Sequence, residues 1–389
     1  MNNLCTEIGY ASLNKAEEQL CGDRVEHCVD ENGALLALTD GLGSGVKACI
    51  LSTLTAKILM TMIAGGMSID DCVETMVNTL PVCKVRGIAY STFTIIQITD
   101  NRRARLIQFD NPKVALIRDG KNCEYPVSVR EIGGKKIAES EFEVREGDLM
   151  LAMSDGAIYA GVGHALNYGW SRENILQFVE GNYAPEHSAQ YYAGIVADEC
   201  GKLYEDRPGD DTTVAAVRVR ARHLVNLVIG PPAERDADED MMRKFFALRG
   251  SHIVCGGTTA AIAAQYLGKE LVPSESYSDP SIPPISQLDG VDLVTEGVLT
   301  MSQAVLIAER RVNGEDAASD FAYRKDGASR IAQELLEQAT DVTFFVGRAV
   351  NPAHQNPNLP ISFGIKIQLI ERLAACLRKL NKRVTVSYF

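Results

Sequence analysis

The sequence holds no pair of cysteines at CxxC spacing, although ten cysteines are scattered along its 389 residues. That irregularity argues against a zinc site and against a disulfide framework. Reduced thiols in a cytoplasmic compartment fit it best. The N-terminal stretch MNNLCTEIGYASLNKAEEQLCGD lacks a basic start followed by an apolar core, so no signal peptide is expected. No run of Lys and Arg with interleaved aromatics occurs, and the formal net charge is −12. Such an acidic chain repels phosphodiester backbones, which disfavours nucleic acid as a partner. Long apolar runs are also missing. The longest, CILSTLTAKILMTMIAGG, carries Lys57 and several hydroxyls, and reads as a buried helix too short and too polar for a membrane span. There is no internal repeat and no low-complexity segment.

What remains is an ordinary globular composition, 46% hydrophobic and 23% charged, with length for two or three domains. In the first part, β-branched runs flanked by turn residues predict strands at Gly33–Thr39, Ala89–Thr99, Ala104–Asp110, Lys113–Arg118, Asp148–Met153 and Thr212–Val219. Helices are expected at Gly45–Ala64, Ser68–Leu80, Ser171–Glu180 and Ser188–Tyr204. In the second of these, Ser68 is a candidate N-cap and Asp70 and Asp71 complement the helix dipole. Clustered strands with grouped helices indicate a layered α+β domain.

The rhythm changes near residue 221. Beyond it strands at Leu224–Ile229, Ser251–Cys255, Val291–Thr295, Val342–Val346 and Arg383–Tyr388 alternate with helices around Ala237–Leu248, Thr258–Leu267, Ser302–Arg311, Ser329–Gln338 and Ile365–Leu380. That alternation predicts a smaller, parallel, three-layer α/β domain over residues 222–389. The Pro-rich piece VPSESYSDPSIPPISQ reads as a surface loop within it.

One pattern repeats in the first domain. GALLALTDGLGSG runs from an apolar strand into Asp40 and a glycine-rich turn. Alone, this is equally well a tight connection, since Asp and Gly are common where strands stop. But LMLAMSDG ends a second strand in Asp155-Gly156, Gly209-Asp210-Asp211 opens a third, and Gly22-Asp23 precedes what reads as the first. If these ends meet on one sheet edge, their carboxylates repel each other and raise their own pKa values. A hard divalent cation such as Mg²⁺ or Mn²⁺, which favours oxygen ligands, removes that conflict.

The order Gly22-Asp23, TDGLGSG, SDG, GDDTTV resembles the metal-dependent type 2C protein serine/threonine phosphatases, and most closely the bacterial branch typified by the sporulation stage II E phosphatase. The piece DNPKVALIRDG (Asp110–Gly120) is similar to that branch's central hairpin, where an Asn-Pro turn joins two strands. The resemblance covers roughly residues 1–220 and implies a β-sandwich flanked by helices around two Mn²⁺ or Mg²⁺ ions. It implies that Asp40 bridges both metals and that the Gly41 carbonyl serves the second. Asp155 and Asp210 complete the first, Asp23 reaches the second mostly through water, and Asp211 supports these ligands from behind. It further implies hydrolysis of phosphoserine or phosphothreonine in a regulatory protein, such as one that controls a sigma factor. Eukaryotic members often carry His after the Asp-Gly, where this chain has Leu42. Their phosphate-binding Arg has no clear counterpart; Arg24 follows Asp23 but reads equally as an exposed loop residue, and Lys47 as a solvated helix residue.

The second domain has no motif of comparable weight. CGGTTAAIAAQYLG turns from Cys255 through Gly256-Gly257 into a helix opened by Thr258 and Thr259, which suits either an anion or plain N-capping. Glu296, Arg348 and His354 follow other strand ends and would line a pocket if those loops converge. Cys255 reads as a buried, inert thiol rather than a sensor. A regulatory or ligand-binding role is expected for this domain; the competing expectation is a weakly catalytic scaffold that senses a ligand. A homodimer is compatible with either.

Overall fold

The computed structural model describes residues 3–79, 91–273, 285–313, 326–349 and 361–389. They divide into two compact units, Met1–Ala221 and Arg222–Phe389.

The first unit runs β1 (Leu4–Leu13), β2 (Asp23–Val29), β3 (Ala34–Asp40), α1 (Gly45–Ala64), α2 (Ile69–Thr79), β4 (Thr92–Thr99), β5 (Arg103–Phe109), β6 (Ala115–Arg118), β7 (Lys121–Asn122), β8 (Ser128–Ile132), β9 (Lys135–Glu143), β10 (Leu149–Met153), α3 (Asp155–Ile158), α4 (Arg172–Gly181), α5 (Ala189–Leu203) and β11 (Thr212–Ala221). The strands form two antiparallel sheets, one of five strands in the order β1-β11-β10-β6-β7 and one of six in the order β2-β3-β4-β5-β9-β8.

Residues two apart share a sheet face, which explains the unbroken apolar run of β3. Leu36 and Leu38 point between the sheets, among Ile96, Leu106, Met150 and Val217. Leu35 and Ala37 point outward, beneath Leu59 and Ile63 of α1 and Val73 and Met76 of α2. Each fully buried Leu or Ile contributes roughly 1.5–3 kcal/mol. On the other side α4 and α5 cover the five-stranded sheet through Ile175, Val179, Tyr192 and Val196. The result is the α+β sandwich flanked by helices that the sequence predicts.

Four details correct the sequence reading. Leu4–Leu13 is a strand, so Asp23 opens the second strand and not the first. β8 and β9 are unexpected from sequence: β8 is the exposed edge of the six-stranded sheet, and β9, paired between β5 and β8, is rich in Lys and Glu and only partly buried. The Asn111-Pro112 link is no hairpin, because β5 and β6 lie in different sheets; Gln108 steers the crossing by bonding the Pro112 carbonyl (2.9 Å) and the Val114 N–H (3.2 Å). Finally, α1 has 20 residues and is, by length and composition, able to cross a membrane; one face packs on the sheet through Ala48, Ser52, Ala56 and Leu59, while Val46, Ile50 and Leu54 are exposed. In front of α2, Ser68 caps as expected: Asp71 N–H donates to Ser68 Oγ (3.1 Å), and Ser68 Oγ donates to Asp71 Oδ2 (2.7 Å).

The second unit runs β12 (Leu224–Ile229), α6 (Asp238–Phe246), β13 (Ser251–Cys255), α7 (Gly257–Leu267), β14 (Val272–Pro273), β15 (Ser286–Gln287), β16 (Leu293–Thr295), α8 (Val298–Asn313), α9 (Gly327–Ala332), β17 (Asp341–Val346), α10 (Ile361–Lys379) and β18 (Arg383–Tyr388), with α9 continuing as a π-helical turn to Gln338. Its sheet has the order β14-β15-β16-β13-β12-β17-β18. The last five strands are parallel, and β14 and β15 add an antiparallel edge. Val228, Val254, Val294 and Phe345 pack under α6 and α7. Leu227, Ile253, Phe344 and Val346 pack under α8, α9 and α10. This is the three-layer α/β arrangement expected, with the antiparallel edge as its one departure. The Pro-rich loop and His354 fall largely or wholly outside the described residues.

Candidate active site

Strand pairing brings the acids together. Asp23 on β2 lies directly opposite Asp40 on β3. In the other sheet β10 pairs with β11, so the residue after β10, Ser154, meets the start of β11: Thr213 N–H donates to Ser154 Oγ (2.9 Å). That places Asp155, opening α3, beside the Asp210-Asp211 turn.

The glycines of these motifs are needed for close approach. A Cβ on Gly41 would collide with the Ala48 backbone, and one on Gly156 with the Asp211 carbonyl. One on Gly22 would come within 2.8 Å of Asp211 Oδ2, which ties the Gly22-Asp23 turn to the Asp211 side chain. Gly43 and Gly45 take φ values of +98° and +70°, which let the chain reverse into α1.

Asp40, Gly41, Asp155 and Asp210 all line one open cleft of about 810 Å³. Asp23 and Asp211 are buried beside it, and both oxygens of Asp23 and Oδ2 of Asp211 lack a hydrogen-bond partner. Burial, followed by the charges of Asp23, Asp155 and Asp210, pushes the Asp40 carboxyl up to about 9. Burial raises Asp23 to about 7, against the lowering influence of the neighbouring Ser154 and Thr213 side chains and with Asp211 and Asp155 adding to the rise. Burial and Asp210 also raise Asp155. Orphaned, buried oxygens with mutually raised pKa values are what a hard divalent cation would relieve. The donor set fits such ions chemically, although among the described residues no three His, Cys, Asp or Glu side chains already form a ready-made metal shell.

Sequence reasoning missed the cations of this cleft. Lys15, in the link between β1 and β2, ion-pairs with Asp210 (3.7 Å), and its N–H donates to Asp211 Oδ1 (3.0 Å). Arg172, the first residue of α4, donates through Nε to the Lys113 carbonyl (3.0 Å) and through Nη2 to that of Val114 (3.4 Å). Both are isolated in sequence, and no motif marks them. Arg24, by contrast, pairs with Glu26 and does not line the cleft, and Lys47 is exposed on α1. Leu42 lines the cleft, and among the described residues no histidine does.

A helix-flanked double sheet whose strand ends deliver carboxylates to one cleft is the arrangement of a type 2C phosphatase domain. Residues 30–220 match the family described as Stage II sporulation protein E (SpoIIE). Over this stretch the first unit is similar to that SpoIIE-like branch of the type 2C phosphatases, and an α/β unit follows it. The chain is 25% identical over 190 residues to Stage II sporulation protein E of Bacillus subtilis (strain 168), an alignment spanning 47% of this chain and 22% of that relative. Among solved structures, the PP2C phosphatase domain with a regulatory fragment of SpoIIE from Bacillus subtilis aligns at 21% identity and TM-score 0.48, covering 56% of this chain and 64% of that one. The RsbU and RsbW domains of a Mycobacterium tuberculosis protein align at 18% identity and TM-score 0.46, covering 62% of this chain and 70% of that one.

Proposed function

We propose that this chain is a metal-dependent protein phosphatase that hydrolyses phosphoserine or phosphothreonine in a regulatory protein, and that its C-terminal α/β domain controls the activity. The observation that carries the reading is the convergence of Asp40, Asp155 and Asp210 on one cleft with the Asp40 carboxyl raised to about 9. Asp40, Asp155, Asp210, the Gly41 carbonyl and Asp23 would hold two Mn²⁺ or Mg²⁺ ions, which when bound supply an activated water and charge compensation for the phosphoryl group. Lys15 and Arg172 flank the cleft and attract the dianionic phosphate. The guanidinium of Arg172, fixed by two carbonyls, orients it. With Leu42 in place of a histidine, the proton for the departing serine oxygen comes from solvent. A cytoplasmic location and a sigma-factor regulator as substrate suit the same reading.

The test is turnover of a phosphoserine peptide with Mn²⁺, with EDTA, and by Asp40→Asn. Full turnover in EDTA, or by the Asn variant, refutes it. The scaffold reading is favoured instead if well-folded wild-type protein with Mn²⁺ shows no turnover at all.

A further inference from the structure

The parallel sheet of the second unit reverses its strand order at one place. From β12 the chain steps outward to β13 and then β16; it then returns to the other side of β12 to lay down β17 and β18. The helices change faces with it: α6 and α7 cover one side, and α8, α9 and α10 the other. At such a switch point the connections leave neighbouring strands in opposite directions and open a crevice beyond their carboxyl ends.

The residues at that crevice are glycines and one lysine. Gly230 follows β12 with φ +78°, and Gly347 follows β17. A side chain on Gly347 would collide with the carbonyls of Gly230 and Pro231, and one on Gly230 would collide with the Nζ of Lys366. Lys366, on α10, thus brings its ammonium to the end of β12. It is only 7% exposed, and among the described residues it has no carboxylate or hydrogen-bond partner. A lysine this far removed from water, with no counter-charge among the described residues, is costly to keep charged. Burial alone pulls its pKa below the ordinary lysine value, so an arriving anion would restore the charge.

The same place collects helix N-termini. Gly230 N–H donates to Thr259 Oγ1 (2.9 Å), which fixes the end of β12 against the first turn of α7. Gly256, with φ +104°, precedes that helix and packs against Gly297, which precedes α8. Neither helix has an acidic residue in its first turn, so their free N–H groups face no anion of their own. Thr300, in the first turn of α8, is buried with its hydroxyl unpartnered. Arg348 does not join them; it is exposed and stacks on Tyr388 (5.3 Å). Cys255, directly below, is fully buried with its thiol pushed up to about 12, and is inert.

We propose that the switch point between β12 and β17 is a binding site for the phosphate group of a small molecule, gripped by the Lys366 ammonium and the N-terminal turn of α7. The ligand is a phosphate monoester, since a compact, multiply charged anion matches one buried ammonium plus a fan of backbone N–H groups. This site lies in the second unit and does not depend on the hydrolytic reading of the first.

The experiment is calorimetric titration of the full chain with inorganic phosphate, adenosine 5′-monophosphate and succinate, in EDTA so that metal-assisted binding in the acidic cleft does not contribute. Two variants accompany it. Lys366→Met removes the charge at similar length; without ligand it should melt no lower than wild type, because a well-packed apolar replacement of an unpaired buried charge is often neutral or stabilising. Gly257→Glu adds a carboxylate at an exposed position where a Cβ meets nothing, so the fold tolerates it. Wild type should bind a phosphate probe in the millimolar range or tighter, with succinate weaker, and both variants should lose about ten- to hundredfold, as expected for one charged partner. Absence of phosphate binding at millimolar concentration overturns the proposal. So does binding that both variants leave unchanged, or succinate binding as tightly as phosphate.

Discussion

Asp23 and Asp40 occupy directly opposed positions on neighbouring antiparallel strands, both largely removed from water. Like charges at such a pair oppose folding, and here Asp155 and Asp210 add to the repulsion on Asp40. The N-terminal domain therefore carries its destabilising charge where its chemistry is proposed to occur.

Asp40→Asn should separate the two effects. Turnover with Mn²⁺ should fall by at least about a thousandfold, since the proposed bridging ligand is gone. In EDTA at pH 8 the same variant should melt higher than wild type, by about 2–4 °C or more, the shift of ~1 kcal/mol in a domain of this size. Differential scanning calorimetry and peptide kinetics on one preparation decide it; a lower melting point would mean that Asp40 is structural.

The pH dependence has a defined sign. The folded-state pKa values of Asp23 and Asp40 lie above the ordinary carboxylate value of 3.8, at about 7 and about 9. Protons bind the folded form more tightly, so this contribution is fully present below about pH 4 and is lost as pH rises through 7 and then 9. Chelated protein should thus lose stability between pH 6 and 9, and Mn²⁺ should restore most of it by pairing with the ionised carboxylates. A chelated protein whose melting point rises over that window would contradict the assignment.

Gly41→Ala should destabilise by about 1–3 kcal/mol, because its Cβ meets backbone that cannot rotate away. Gly194→Ala, within α5 and facing open space, should instead stabilise by about 0.5–1 kcal/mol. Urea midpoints for the pair measure the contrast.

Arg172→Lys should raise KM for a phosphopeptide about tenfold with less change in kcat, because a lysine cannot hold both carbonyls while facing the cleft. An equal loss in kcat and kcat/KM would place Arg172 in the transition state instead.

A chain ending at residue 221 should fold, since the three clusters of the first unit draw only on residues before that point. If the second domain regulates, its metal titration or turnover should differ from the full chain; identical kinetics leave that domain without a regulatory part.

Legibility in the sequence followed burial. β3 and β10 stood out because both faces are covered, so that the first five residues of β3 and all of β10 are apolar. β8 and β9 did not, because the edge strand β8 and the solvent-facing side of its neighbour β9 have no reason to exclude Lys, Arg and Glu. Asp40 and Asp155 were readable because close approach forces glycine after each of them, and Asp210 because the Gly-Asp-Asp turn opens an apolar, β-branched strand; each leaves a short local signature. Lys15, Arg172 and Lys366 left none: each is a common residue in a common context, and only the tertiary structure shows which one meets an acid, which two carbonyls, and which no counter-charge among the described residues.

The acids come from both layers of the sandwich, Asp23 and Asp40 from the six-stranded sheet and Asp155 and Asp210 from the ends of the five-stranded one. Within a sheet, backbone hydrogen bonds fix the spacing of Asp23 to Asp40. Between sheets, side-chain packing such as Leu36 and Leu38 against Met150, with a few side-chain hydrogen bonds such as Arg118 Nη2 to the Glu143 carbonyl (2.9 Å), sets the distance. A slide of one layer over the other, even by a fraction of an ångström, alters the separation of Asp40 from Asp155 while leaving every strand pairing intact. On the proposed function, catalytic competence is in that sense a measure of sheet alignment, and any substitution or ligand that shifts the interlayer packing would act on the reaction without touching it.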